Sequence, residues 1–111
     1  MPDRKDFLEA LKIARNRMIG ENGAPVLEGW NRKVLYHFSD TDEYWYMQVV
    51  DGHPQQPVQG EIDDPDVKIK MSSETFVGLM NGTINGMRAF TSGKVKVKAS
   101  MADVRKLQVF M

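Results

Sequence analysis

The chain of 111 residues contains no cysteine and only two histidines. Disulfides, thiol catalysis and a cysteine-based zinc site are therefore excluded, and His37 and His53 are too few to build a histidine-rich metal centre. No apolar run approaches the roughly 20 residues of a membrane-spanning helix. The first residues, Met1-Pro-Asp-Arg-Lys-Asp6, lack the continuous apolar stretch of a secretion signal. Charge of one sign is also missing. Lys plus Arg and Asp plus Glu both number 15, so there is no general attraction to nucleic acid or to an anionic membrane. These absences point to a cytoplasmic protein of one domain, residues 1–111.

What is present is core material. Hydrophobic residues make up 41% of the chain, enough for a folded domain without staples. Eight are methionine, and five of those fall between Met71 and Met111. Methionine fills irregular gaps, and it also lines surfaces that accept varied partners.

Hydrophobic spacing divides the chain into elements. Residues 3–19 read as a helix, with Phe7, Leu8, Leu11, Ala14 and Met18 on one side and Asp3 as its cap. The period then changes to two. Residues 33–38 and 44–50 read as a hairpin of strands around the polar turn Ser39–Asp42. After a turn at Asp51–Pro54, residues 56–61 form a weaker strand that Pro57 confines to an edge. Val67, Ile69 and Met71 alternate with Lys68 and Lys70 in a fourth strand. Ser72 or Ser73 caps a helix through Phe76, Val77, Leu79 and Met80, which Gly82 ends or bends. Ile84, Met87 and Phe90 continue the apolar series. Val95, Val97 and Ala99 alternate with lysines in a fifth strand. Ser100 and Asp103 have capping-box spacing ahead of a last helix striped by Met101, Val104, Leu107 and Phe110.

The order α-β-β-β-β-α-β-α lacks the strand–helix rhythm of a doubly wound fold. It predicts an α+β domain with a five-stranded, mainly antiparallel sheet covered on one face by helices.

Reactive constellations do not emerge. No serine lies in a Gly-x-Ser-x-Gly elbow, and Ser72, Ser73 and Ser100 read as caps. Residues 81–86 have spaced glycines but no dinucleotide or phosphate-loop fingerprint. Asp63, Asp64 and Asp66 lack calcium-loop spacing and read as a solvated turn. Lys94, Lys96 and Lys98 share one strand face. A solvated face is the simpler reading, with phosphate or lipid-headgroup contact as its alternative. The reading is non-enzymatic, with no metal and no cofactor.

The segment 81–101, Asn-Gly-Thr-Ile-Asn-Gly-Met-Arg-Ala-Phe-Thr-Ser-Gly-Lys-Val-Lys-Val-Lys-Ala-Ser-Met, resembles the sterol carrier protein 2 family. The likeness rests on Gly82 ending a helix, the pair Ala89-Phe90, Gly93-Lys94 opening an alternating strand, and the terminal apolar helix. Residues 66–76 and 44–49 are similar to the family's strand-to-helix passage and its aromatic strand. Ala99-Ser100 departs from it where members often carry a glycine followed by a polar residue. The chain lacks the peroxisomal tripeptide of some eukaryotic members and looks like a free-standing, prokaryotic-type domain.

The resemblance implies a sheet covered by helices with an apolar tunnel between them. It also implies non-catalytic binding or transfer of a fatty acid, fatty acyl-CoA, sterol-like molecule or phospholipid, and it leaves room for transient membrane contact. The apolar residues expected to line such a tunnel are Phe38, Trp45, Met47, Leu79, Met80, Ile84, Met87, Phe90, Met101, Val104, Leu107, Phe110 and Met111. The alternative is that the same apolar helix face docks a protein partner or a second copy. A small enzyme with a polar pocket is a third reading, and it would turn on His37 and His53.

Overall fold

The computed structural model describes residues 2–21 and 23–108. Helix α1 (Arg4–Ile19) buries Phe7, Ala10, Leu11 and Met18, while Leu8 turns toward solvent. Asp3 stands at its N-cap position without a side-chain cap bond. A four-residue helix, α2 (Ala24–Leu27), follows with Pro25 in its first turn.

Strands β1 (Arg32–Phe38) and β2 (Glu43–Val50) form the expected antiparallel hairpin, with Tyr36 opposite Trp45. The weak strand expected over 56–61 is instead two short pieces. Strand β3 (His53–Pro54) and strand β4 (Val58–Gln59) each add to the outer edge of β2. Pro54 and Pro57 donate no backbone hydrogen bond, so a continuous strand cannot form here. The expected turn at Asp51–Pro54 thus contains β3.

Strand β5 (Val67–Met71) lies parallel to β1, and β6 (Lys96–Lys98) closes the other edge antiparallel to β5. The sheet order is β3-β2-β1-β5-β6, with β4 beside β2, so six strands among the described residues replace the expected five. It remains mainly antiparallel, with β1–β5 the one parallel pair among the described residues.

Helix α3 (Ser73–Asn81) begins at Ser72, whose hydroxyl accepts from Thr75 N at 3.1 Å. It ends at Gly82, whose φ of +84° lies in the left-handed region where glycine is unstrained. Helix α4 (Gly86–Thr91) is capped by Asn85, and α5 (Met101–Gln108) follows β6.

Residues on the two sides of the sheet differ sharply. Val34, Tyr36, Phe38, Met47, Val49, Val67, Ile69 and Met71 face the helices and are buried. Phe7, Phe38 and Phe76 knit α1, β1 and α3 together, with Phe38 ring centroids 4.8 Å from Phe7 and 5.1 Å from Phe76. The opposite side carries Leu35, which is also buried, with His37, Tyr44, Lys68, Lys70, Lys96 and Lys98, and among the described residues no helix side chain lines the groove there.

Candidate functional site

The helix-covered face leaves a cavity of about 50 Å³. Each wall follows from the period of its element. Helix α1 contributes Ala14 and Met18, four residues apart on one face. Tyr36 of β1 and Ile69 and Met71 of β5 form the floor. Helix α3 supplies Phe76, Leu79 and Met80, and α5 supplies Leu107.

The roof is held by polar contacts at its margins. Arg17 of α1 donates from Nη2 to the carbonyls of Leu79 and Met80, at 3.3 and 3.1 Å. These carbonyls belong to the last turn of α3, where a cation is favoured. Helix α5 is tied down at its start. The Asp103 carboxylate accepts from Trp30 Nε1 at 3.0 Å and from Arg32 Nε at 2.8 Å. Lys106 Nζ donates to the Val26 carbonyl at 2.8 Å.

Burial opposes the charge on Asp103, but the hydrogen bonds from Arg32 and Trp30 outweigh it and hold its carboxyl below the usual carboxylate range. In the cavity, burial pushes the Tyr36 hydroxyl up to about 12, so it keeps its proton across the neutral range.

The expected lining residues divide into groups. Leu79, Met80 and Leu107 line the cavity. Phe38 and Met47 are buried in the core beside it, and Trp45 is half-buried against that core. Ile84 packs on Gly78 of α3, with its Cγ1 2.6 Å from where a Cβ on that glycine would stand. Phe90 and Val104 are half-buried away from the cavity. Met87 and Met101 are 51% and 68% exposed and are not among the residues around this cavity. Helix α4 buries only the small Gly86 and Ala89, which turns Met87 outward, and Met101 opens α5 on its solvent side. Phe110 and Met111 lie outside the described residues.

Six lining residues were not anticipated: Ala14, Met18, Tyr36, Ile69, Met71 and Phe76. The signal was available, because each sits on the buried side of an element whose period was read correctly. His37, a candidate in the enzymatic reading, lies on the far side of the sheet, stacked on Tyr44 at 4.3 Å, with Nε2 2.9 Å from Asp42 Oδ1. His53 is exposed in β3, so the two histidines do not meet in one pocket. Among the described residues, no helix is long and apolar enough to cross a membrane.

Comparison with known proteins adds to this geometry. A sequence model of the SCP-2 sterol transfer family matches residues 13–111. Peroxisomal multifunctional enzyme A of Dictyostelium discoideum is 30% identical over 95 residues, which cover 84% of this chain and 22% of that protein. The chain therefore spans about a fifth of the length of that relative. The solution structure of palmitated SCP2L2 from Aedes aegypti superposes with a TM-score of 0.72 at 16% identity, covering 98% of this chain and 95% of that one. A stereoselective inverting sec-alkylsulfatase from Pseudomonas sp. contains a similar fold, with a TM-score of 0.62 and 18% identity, over 78% of this chain and 13% of its own.

Proposed function

Because the chain belongs to the SCP-2 sterol transfer family, we propose that it binds and transfers an apolar lipid in the space between sheet and helices, without reacting with it. The observation that carries this reading is the lining of the cavity. Its walls are aliphatic, aromatic and thioether side chains, with the Tyr36 hydroxyl as the one polar side-chain group. Such a site gains from burying hydrocarbon, at about 0.8 kcal/mol per methylene.

A cavity of about 50 Å³ is far below the roughly 300 Å³ at which small-molecule pockets begin. A long acyl chain enters only if the walls move apart. Met18, Met71 and Met80 are the walls suited to yield, since methionine has three rotatable bonds and no branch. Helix α5 is the thinnest wall, since it closes the cavity with Leu107 alone, and it moves only against the ties of Asp103 and Lys106.

The test is native mass spectrometry of the purified chain with solvent extraction, followed by displacement of a fluorescent fatty acid by C10 to C16 acids. We expect a co-purifying lipid, or saturable displacement that strengthens about fourfold per added methylene. No uptake of any acyl chain or sterol, together with concentration-dependent self-association, would sink the proposal in favour of a docking module.

A further inference from the structure

The side of the sheet away from the helices has a second feature, which lipid carriage leaves unexplained. Lys68 and Lys70 of β5 and Lys96 and Lys98 of β6 point to that side. The register places Lys68 directly opposite Lys98, and Lys70 directly opposite Lys96. Like charges in directly opposed positions destabilise a sheet. None of the four side chains makes an ion pair or hydrogen bond among the described residues. In a chain with 15 basic and 15 acidic residues, partners were available in number.

These lysines edge an open groove of about 510 Å³, within the roughly 300–1,000 Å³ range of small-molecule sites. Leu35, His37 and Tyr44 contribute its less polar part, the last two as a parallel ring pair. Glu61 is the one carboxylate in the lining. Asp42, nearby, is engaged with His37. Strand spacing and pleat place the four lysine stems at the corners of a patch about 5 Å by 7 Å. An anion with two or more negative charges can neutralise both opposed pairs at once.

We propose that this groove binds a phosphorylated small molecule, its phosphates held by Lys68, Lys70, Lys96 and Lys98 and its organic part resting on Leu35, His37 and Tyr44. The site lies across the sheet from the apolar cavity and stands independently of the lipid reading. A phosphate ligand explains why the repulsion is tolerated: the lysines are poised for a charge the chain itself withholds.

The experiment is an amide-resolved NMR titration of the full chain with sodium pyrophosphate and, separately, with ADP. Saturable shifts on β5 and β6 are expected with both probes, tighter for ADP, and weakening as salt is raised. The double variant Lys68→Gln/Lys98→Gln should bind both probes at least about tenfold more weakly. It should melt no lower than the wild type, because it relieves a like-charge pair, and its fatty-acid displacement should be unchanged. Absent or non-saturable shifts, or a double variant that binds as the wild type does, would overturn the proposal. Equal affinity for ADP and pyrophosphate would overturn the role given to Leu35, His37 and Tyr44. Binding to phosphatidylserine vesicles alone would replace the site with a membrane-docking face.

Discussion

Replacing Asp103 should loosen α5 and cost stability in a pH-dependent way. Asp103 is 3% exposed, and its carboxylate accepts from the Trp30 indole at 3.0 Å and the Arg32 guanidinium at 2.8 Å. A hydrogen bond to a charged group contributes about 1.5–3 kcal/mol, and an orphaned buried donor costs about 1–3 kcal/mol. The Arg32 side chain is 35% exposed, so water recovers part of its loss and the ion-pair share must be discounted. Asp103→Ala should therefore cost about 2–4 kcal/mol. Asp103→Asn, which keeps an acceptor for the indole, should cost about 1–2 kcal/mol. Urea unfolding at fixed temperature reads both. The folded carboxyl sits below its unfolded value of about 3.9, so its contribution is fully present above that pH. It is lost as pH falls through the depressed folded value, and there the gap between wild type and Asp103→Asn should close. A cost below about 0.5 kcal/mol for Asp103→Ala, or a gap that stays constant into strong acid, would refute the latch.

The cavity and its surroundings give further tests. Leu107→Ala should cost about 2–5 kcal/mol in urea unfolding while admitting bulkier acyl chains in the displacement assay. Unchanged stability would show that Leu107 is not a wall. Met87→Ser should leave both stability and fatty-acid binding within error, since that side chain is 51% exposed; a loss of binding would return it to the site. Gly52→Ala should destabilise more than Gly82→Ala. Both glycines have positive φ, but a Cβ at Gly52 would stand 2.6 Å from the Leu27 carbonyl oxygen, whereas at Gly82 it meets nothing within 4 Å. Equal thermal shifts would contradict that packing.

Local patterns revealed what local forces decide. The alternation of Val67, Ile69 and Met71 with two lysines marks β5 at its observed bounds, and of the two cap candidates, Ser72 and Ser73, it is Ser72 that starts α3. The parallel pairing of β1 with β5 was not legible, because strand direction depends on the path of the intervening chain and not on side-chain period. Strands β3 and β4 were obscured for a similar reason. Each has two residues and forms only because β2 supplies its partner. The site was harder still. Three-residue spacing alone drew Met87 and Met101 into the lining, yet spacing does not say which side of a short helix meets the core. The spacing of Ser100 and Asp103 predicts a capping box. The Asp103 backbone N–H does reach Ser100 Oγ at 3.2 Å, but its carboxylate serves residues 71 and 73 positions away. That use is tertiary, and no local spacing encodes it.

The chemistry of the cavity supports carriage over catalysis on grounds that do not depend on relatives. A general acid or base works best with a pKa near the operating pH. Tyr36, the titratable group of the lining, moves the wrong way, up to about 12, because burial penalises its anion. The two carboxylates held below their usual range are committed elsewhere. Burial opposes the charge of each, but the hydrogen bonds of Ser73 outweigh it at Asp40, and those of Arg32 and Trp30 outweigh it at Asp103. Both carboxylates therefore fasten helices α3 and α5 to the body. Asp40 and Asp103 thus hold the walls of the site, while the space within is lined mainly by hydrocarbon. Fixed charges at the margins of an apolar space are the arrangement that the proposed carriage calls for, since the lining itself then holds no charge.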